Sequence, residues 1–171
     1  MHDCRHSRWR ALHEHIPGRK CRLWGRRYFK KKQIARAKTI YLEGYLFDSD
    51  EQKAAFKSAA KFAQAAGGQV ALTLSDSFCV GRHRDDFRKL AEQQTDILFA
   101  NEDELLALYD TDRLDTALDA LSGMRPVVCV TRGDKGSIIQ TNERRHFVKA
   151  APIDKVVDTT GAGDQLSLIH I

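Results

Sequence analysis

The sequence has no long apolar run. None of its hydrophobic stretches approaches the roughly 20 residues that a membrane-spanning helix needs, and its first residues contain no apolar signal core. At 171 residues and 42% hydrophobic content, the chain is long enough for one globular domain with a core. We therefore expect a soluble, cytoplasmic protein without a membrane partner.

The sequence also has few cysteines and no Cys-x-x-Cys pair. Its four cysteines are Cys4, Cys21, Cys79 and Cys129, and the last two lie in or beside apolar runs. This arrangement is typical of reduced thiols in the cytosol and argues against a disulfide framework. No internal repeat divides the chain.

Positive charge is concentrated near the start of the chain. Residues 1–36 contain 12 Lys and Arg against 2 Asp and Glu, whereas residues 37–171 contain the other 16 against 21. The body is therefore mildly acidic, so it offers no basic patch that would continue a nucleic-acid-binding arm. We expect no nucleic-acid partner.

Residues 1–35 show neither a 3.6-residue nor a 2-residue apolar period. We interpret them as a non-homologous or frame-shifted, disordered segment, because Arg, Trp, Cys, His and Gly enrichment is typical of a GC-rich gene translated out of frame. A basic arm and a metal site remain alternatives. The metal candidates are Cys4, His6, His13, His15 and Cys21, whose spacing matches no standard zinc pattern. Residues 165–171 are interpreted similarly, as an artificial or truncated tail.

Between these ends, short β-branched runs alternate with helical patterns. We predict strands at 39–43, 70–74, 97–100 and 127–130, and helices at 50–66, 85–93, 102–109 and 114–121. Ser49 and Gln52 form a capping box before the first of these helices. Residues 137–140 and 146–149 predict an antiparallel hairpin on one edge. The pattern indicates an α/β fold, doubly wound, with a mainly parallel sheet and helices on both faces.

A glycine-rich motif follows the apolar residues Val156 and Val157. Residues 158–164 read Asp-Thr-Thr-Gly-Ala-Gly-Asp, in which two glycines let backbone N–H groups converge where a helix start adds partial positive charge. The pattern is typical of an anion hole. Asp164 directly follows it and could accept the proton of an attacking hydroxyl. A plain glycine-rich turn with a capping aspartate is the alternative.

The motif at 158–164 resembles the second signature of the ribokinase/PfkB family of carbohydrate and nucleoside kinases. The resemblance implies that Asp164 is the catalytic base and that Thr160 contacts the nucleotide. It further implies that the anion hole consists of the amides of Gly161, Ala162 and Gly163.

A second motif follows the predicted strand at 97–100. Asn101 and Glu104 are similar to the family's Asn-x-x-Glu motif. A carboxylate and an amide three residues apart at a helix start can order waters around a Mg²⁺ ion bound mainly by phosphates. The resemblance thus implies an indirect, water-mediated metal role for Glu104. Ordinary helix capping by Asn101 is the alternative.

A third motif follows the predicted strand at 127–130. Residues 131–136 resemble the family's Thr-x-Gly-x-x-Gly nucleotide-phosphate loop. Thr131 would supply a hydroxyl, and Gly133 and Gly136 would allow close backbone approach to phosphate. A hairpin turn requires similar residues for different reasons.

The resemblance covers residues 36–164, and the segments 41–45 and 74–78 are similar to the family's adenosine-kinase-like branch. It implies a kinase that transfers the γ-phosphoryl group of ATP, with Mg²⁺, to a hydroxyl of a sugar or nucleoside. It is compatible with a homodimer of the intact enzyme. Because kinases of this family are longer, we expect a truncated fragment that is inactive by itself.

Two other functions compete with the kinase. A nucleotide-binding α/β module without catalysis would share the fold class, but the sequence lacks G-x-G-x-x-G after its first strand. Nucleic-acid binding through the basic arm is the second.

We interpret the basic stretch at 80–84 as a surface turn. We also interpret His83, His146 and His170 as solvated side chains.

Overall fold

A computed structural model describes residues 31–152 together with Gly161 and Gly163. Its strands are β1 Thr39–Glu43, β2 Gln69–Thr73, β3 Ile97–Asn101, β4 Val127–Thr131, β5 Ser137–Gln140 and β6 Arg145–Val148. Its α-helices are α1 Lys31–Ile34, α2 Asp50–Ala65, α3 Ser77–Arg82, α4 Arg84–Gln94, α5 Glu102–Tyr109 and α6 Leu114–Ala120. Short 3-10 turns cover Gly44–Leu46 and Gly133–Lys135. Of the predicted segment 1–35, residues 1–30 lie outside the described residues, whereas Lys31–Ile34 form α1. The predicted tail at 165–171 also lies outside them.

The strands form one six-stranded sheet in the order β1-β2-β3-β4-β5-β6. Strands β1 to β4 are parallel, while β5 and β6 pair antiparallel at one edge. The predicted α/β fold class and the edge hairpin are confirmed. Within the described residues, no helix is both long enough and apolar enough to span a bilayer.

The described helices pack against one face of the sheet, so the predicted covering of both faces by helices is not found among the described residues. Because each right-handed crossover advances the sheet in the same direction, successive connecting helices lie on the same side. Buried residues of α2, α4, α5 and α6 share one apolar cluster with Leu72, Leu98 and Val128 of the strands. Strand residues whose side chains point to the other face of the sheet, including Ala71 and Phe99, form a second and smaller cluster.

Helix α2 begins and ends where local sequence predicts. The Ser49 hydroxyl accepts a hydrogen bond from the Gln52 amide at 3.2 Å, and the Gln52 side chain accepts one from the Ser49 amide at 3.2 Å. The helix ends before Gly67, whose φ of 78° is readily adopted by glycine. Phe56 and Ala60 lie on its buried face, spaced as neighbouring helical turns require.

The interpretation of residues 80–84 as a surface turn is wrong. Arg82 ends α3 and Arg84 begins α4, so only His83 lies between the two helices. Helix α3 forms because the Asp76 carboxylate accepts hydrogen bonds from two first-turn amides. His83 is not a solvated side chain either, since its Nε2 lies 3.0 Å from an Asp48 carboxylate oxygen and its side chain is 19% exposed.

An aromatic cluster anchors the turn after β1. Phe47 is completely buried, and its ring centroid lies 4.4 Å from that of Phe87 in α4 and 5.4 Å from that of Phe56 in α2. Such ring pairs add to the stabilisation from buried area. The cluster therefore ties this turn to two helices.

Phe47→Ala should lower the free energy of unfolding by about 3–5 kcal/mol, because it leaves a cavity between α2 and α4. Urea unfolding followed by circular dichroism measures this loss. The matched control is Phe78→Ala, since Phe78 is 78% exposed, and its effect should stay within about 0.5 kcal/mol. Equal losses in the two variants would contradict the packing described for Phe47.

Candidate functional site

Two of the predicted motifs lie side by side at the carboxyl edge of the sheet. Asn101 ends β3, Thr131 ends β4, and the two residues are direct partners in the parallel register. Carboxyl ends of parallel strands meet at one edge, where the N-termini of the following helices also lie. The start of α5 and the loop at 131–136 therefore share one surface.

Asn101 and Glu104 hold each other through three hydrogen bonds. Asn101 Oδ1 accepts from the Glu104 amide at 2.8 Å. The Glu104 carboxylate accepts from the Asn101 amide at 3.0 Å and from Asn101 Nδ2 at 2.9 Å, with a different oxygen in each case. Asn101 therefore caps α5, as the alternative interpretation expects. The same bonds fix the Glu104 carboxylate at the edge of the sheet.

Glu104 is buried. The loss of solvent around its carboxyl group raises its pKa. The hydrogen bond from the Asn101 backbone opposes this shift of the pKa, while the negative charges of Asp76 and Asp103 add to it. A nearby cation would relieve both the desolvation and the repulsion. Each carboxylate oxygen already accepts one hydrogen bond, so the donor set fits a hydrated Mg²⁺ ion contacted through water.

The loop at 131–136 turns sharply between β4 and β5. The Arg132 amide donates to the Gly136 carbonyl at 2.8 Å, and the Gly136 amide donates to the Gly133 carbonyl at 3.1 Å. The amides of Gly133 and Asp134 begin the 3-10 turn, and neither has an acceptor within the part of the chain that the structure describes. These two donors are available to an anion.

The two glycines of this loop are required for different reasons. Gly133 has a φ of 58°, and a Cβ added to it would meet no atom of the described residues within 4 Å. Gly136 has a φ of 89°, and a Cβ there would overlap the Val148 carbonyl oxygen and approach the Ala150 nitrogen to 2.8 Å. Gly133 leaves the backbone open to solvent, whereas Gly136 allows the loop to pack against the end of β6.

Sequence reasoning missed an ion pair that joins the two motifs. Arg132 Nε lies 3.2 Å from Glu102 Oε2, and Lys135 Nζ lies 3.8 Å from the same oxygen. Glu102 and Arg132 directly follow the register partners Asn101 and Thr131. The opposite charges of Glu102 and Arg132 were visible in the sequence. Their proximity could be predicted only from the register of β3 and β4.

Most of the motif at 158–164 lies outside the described residues, including Asp164, Ala162 and Thr160. Gly161 lies in a turn with a φ of 76°, and Gly163 is helical and exposed. The assignments of the anion hole and of the catalytic base stay predictions.

A family model described as pfkB family carbohydrate kinase matches residues 25–167. The chain belongs to this family. The resemblance to ribokinase/PfkB kinases is thereby confirmed, and the four parallel strands with their connecting helices are the family's α/β fold. No curated protein sequence matches the chain.

Solved structures of kinases match most of the chain. An adenosine kinase from Sinorhizobium meliloti is 43% identical, with a TM-score of 0.74 over 79% of this chain and 42% of its own. A probable sugar kinase from Rhizobium etli CFN 42 is 41% identical, with a TM-score of 0.74 over 79% of this chain and 41% of its own. A proposed Ribokinase II from E. coli, in complex with ATP and Mg²⁺, shares the fold at 24% identity, with a TM-score of 0.68 over 78% and 44%. The chain thus spans about two fifths of the length of these structures.

Gly136→Ala should destabilise this pfkB-family chain more than Gly133→Ala does. The new methyl group at Gly136 would overlap backbone atoms and strain a φ of 89°, costing at least about 3 kcal/mol. At Gly133 only the strain of a positive φ applies, about 1–2 kcal/mol. Urea unfolding of both variants measures the difference, and similar losses would contradict the close packing of Gly136.

Glu104→Gln should change how stability depends on pH. Because the pKa of Glu104 is raised in the folded protein, its contribution is complete below the usual value of 4.5 and is lost as the pH rises through the folded-state pKa. The amide variant has no such loss. Its stability relative to the parent chain should therefore increase from acidic to neutral pH, as measured by urea unfolding at a series of pH values. A constant difference at every pH would contradict the raised pKa.

Proposed function

We propose that this chain carries the nucleotide site of an ATP-dependent kinase that phosphorylates a hydroxyl of a nucleoside or sugar. The observation that supports this most directly is the shared edge: the Asn101–Glu104 pair lies beside the Thr131 loop. A carboxylate suited to a hydrated cation occupies the same surface as two amides that have no acceptor among the described residues and are suited to phosphate. Family membership supports phosphoryl transfer as the chemistry.

The loop after β4 would bind the phosphates of ATP. The Thr131 hydroxyl and the amides of Gly133 and Asp134 would donate hydrogen bonds to phosphate oxygens. The Glu102–Arg132 ion pair would hold this loop against α5, so its donors are oriented before the nucleotide arrives. The E. coli structure solved with ATP and Mg²⁺ supports these cofactors. Mg²⁺ held through water near Glu104 would offset the charge of the phosphates.

The proton of the acceptor hydroxyl would pass to the Asp164 carboxylate. The amides of Gly161, Ala162 and Gly163 would stabilise the negative charge that develops on the transferred phosphoryl group. Thr160 would contact the nucleotide beside them. These roles are supported by the family motif at 158–164, which lies within the matched residues.

Adenosine is the first acceptor to test, with ribose and fructose next. The segment at 41–45 resembles the adenosine-kinase-like branch, and a 43% identical structure is an adenosine kinase. The 41% identical relative is described as a sugar kinase, so a sugar remains an alternative acceptor. A homodimer is proposed for the intact enzyme.

A chimera tests both the reaction and the base. Residues 36–164 would replace the matching segment of the S. meliloti adenosine kinase, and ADP release would be followed with each acceptor. Asp164→Asn should lower kcat by roughly 10² to 10⁴ while leaving the KM for ATP nearly unchanged, because the anion hole stays intact. The control Asp112→Asn, at an exposed position between α5 and α6, should retain full turnover.

Two results would contradict the proposal separately. A folded chimera that phosphorylates none of the three acceptors would contradict the kinase assignment of this segment. A chimera that is active both with and without the Asp164 carboxylate would leave the kinase in place but refute the assigned base.

A further inference from the structure

Three ligand-type side chains that are not part of the proposed nucleotide site converge near helix α3. Asp48 Oδ1 lies 3.0 Å from His83 Nε2 and 3.9 Å from Cys79 Sγ. The ligand atoms of all three residues lie within 4.8 Å of one another. None of the three has a role in the proposed kinase reaction.

Two separate segments of the fold supply these residues. Asp48 lies in the turn between β1 and α2, next to the residue that caps α2. Cys79 lies in α3, and His83 directly follows α3. The four-residue spacing from Cys79 to His83 places both side chains on the same side of this helix. Asp48 contacts them although it lies 31 residues before Cys79 in the sequence.

We propose that Asp48, Cys79 and His83 form a binding site for Zn²⁺ or a similar borderline-soft divalent cation. Thiolate, imidazole and carboxylate are the ligands that zinc prefers, and three protein ligands with one water complete a tetrahedral site. Zinc–ligand bonds of about 2.0–2.3 Å separate the ligand atoms of a tetrahedron by about 3.3–3.8 Å. The two separations from Asp48, 3.0 and 3.9 Å, bracket this range, and the ligand atoms of Cys79 and His83 lie within 4.8 Å of each other. Side-chain rotations that make the three separations equal would admit the ion.

Binding exchanges hydrogen bonds for metal bonds. His83 Nε2 would direct its lone pair at the cation instead of contacting Asp48, and the Cys79 thiol would release its proton to solvent. The cation would enter from the side of Asp48, whose side chain is 57% exposed, because Cys79 is only 2% exposed. Cys79 Sγ also lies 3.7 Å from the Gly44 carbonyl oxygen, which fixes its position beneath the other two ligands.

Arg82 competes with the cation for the Asp48 carboxylate. Its Nη2 lies 3.0 Å from the same Oδ1 that contacts His83, and its side chain is 54% exposed. A guanidinium group at this distance repels a divalent cation. Arg82→Gln should therefore tighten metal binding while weakening the ion pair between α3 and the turn at Asp48. A purely structural ion pair predicts no gain in metal affinity.

Cobalt titration of the 171-residue chain tests the site. The titrated protein carries Cys4→Ser and Cys21→Ser as its background substitutions. In that background only Cys79 and Cys129 can give a thiolate-to-cobalt charge-transfer band. We expect the band to appear with one equivalent of Co²⁺, to be lost in Cys79→Ser, and to persist in Cys129→Ser, where the thiol lies in the other apolar cluster. Competition with Zn²⁺ should remove the band.

Variants of the other two ligands keep the test independent of the buried cysteine. Asp48→Asn and His83→Gln should each weaken Co²⁺ binding at least about tenfold, with circular dichroism confirming that each remains folded. Zn²⁺ should raise the Tm of the background chain but not that of Cys79→Ser. Absence of the thiolate band, its persistence in Cys79→Ser, or unchanged Co²⁺ affinity in both the Asp48→Asn and the His83→Gln variants would overturn the proposal. Weaker binding in Arg82→Gln would overturn the placement of the cation at Asp48 Oδ1.

Discussion

The parallel register of β3 and β4 is the constraint on which the candidate nucleotide site depends. It makes Asn101 and Thr131 direct partners, so the start of α5 and the following loop leave the sheet at the same level. The next residues along each chain, Glu102 and Arg132, are then close enough to form their ion pair. A slip of one residue would turn the side chains of a strand to the opposite face and separate these groups. Apolar contacts across the buried face of the sheet therefore hold the polar site together.

The same hydrogen bonds serve both the fold and the chemistry at Glu104. They satisfy amides at the start of α5 that would otherwise lack partners, and they partly offset the cost of burying a carboxylate. The offset is incomplete, because Asp76 and Asp103 add negative charge nearby and the pKa of Glu104 remains raised. A residue that only caps α5 would not need to be a buried carboxylate beside Asp76 and Asp103. The excess negative charge at this edge favours a positively charged ligand.

Elements with their own local signals were predictable from sequence, and elements that depend on distant partners were not. The capping boxes of α2 and α5 and the apolar strands are encoded within a few residues each. Helix α3 is six residues long and too short to be stable alone. Its last residue, Arg82, and the following His83 contact Asp48, 34 and 35 positions earlier, and no local pattern could show this contact. The requirement for Gly136 likewise comes from β6 and not from its own turn.

Close backbone packing at Gly44 explains why the region before α3 departs from its local preferences. A Cβ on Gly44 would overlap the Leu74 carbonyl oxygen and approach the Leu74 carbonyl carbon to 2.8 Å, so the turn after β1 lies directly on the end of β2. The chain must bend away there, and Ser75 adopts a φ of 63°, which costs a residue with a side chain about 1–2 kcal/mol. The Ser75 hydroxyl is buried without a hydrogen-bond partner among the described residues. Burial of Phe47 behind this turn offsets that strain, and it also fixes Asp48 beside α3 independently of any attraction between the charged groups.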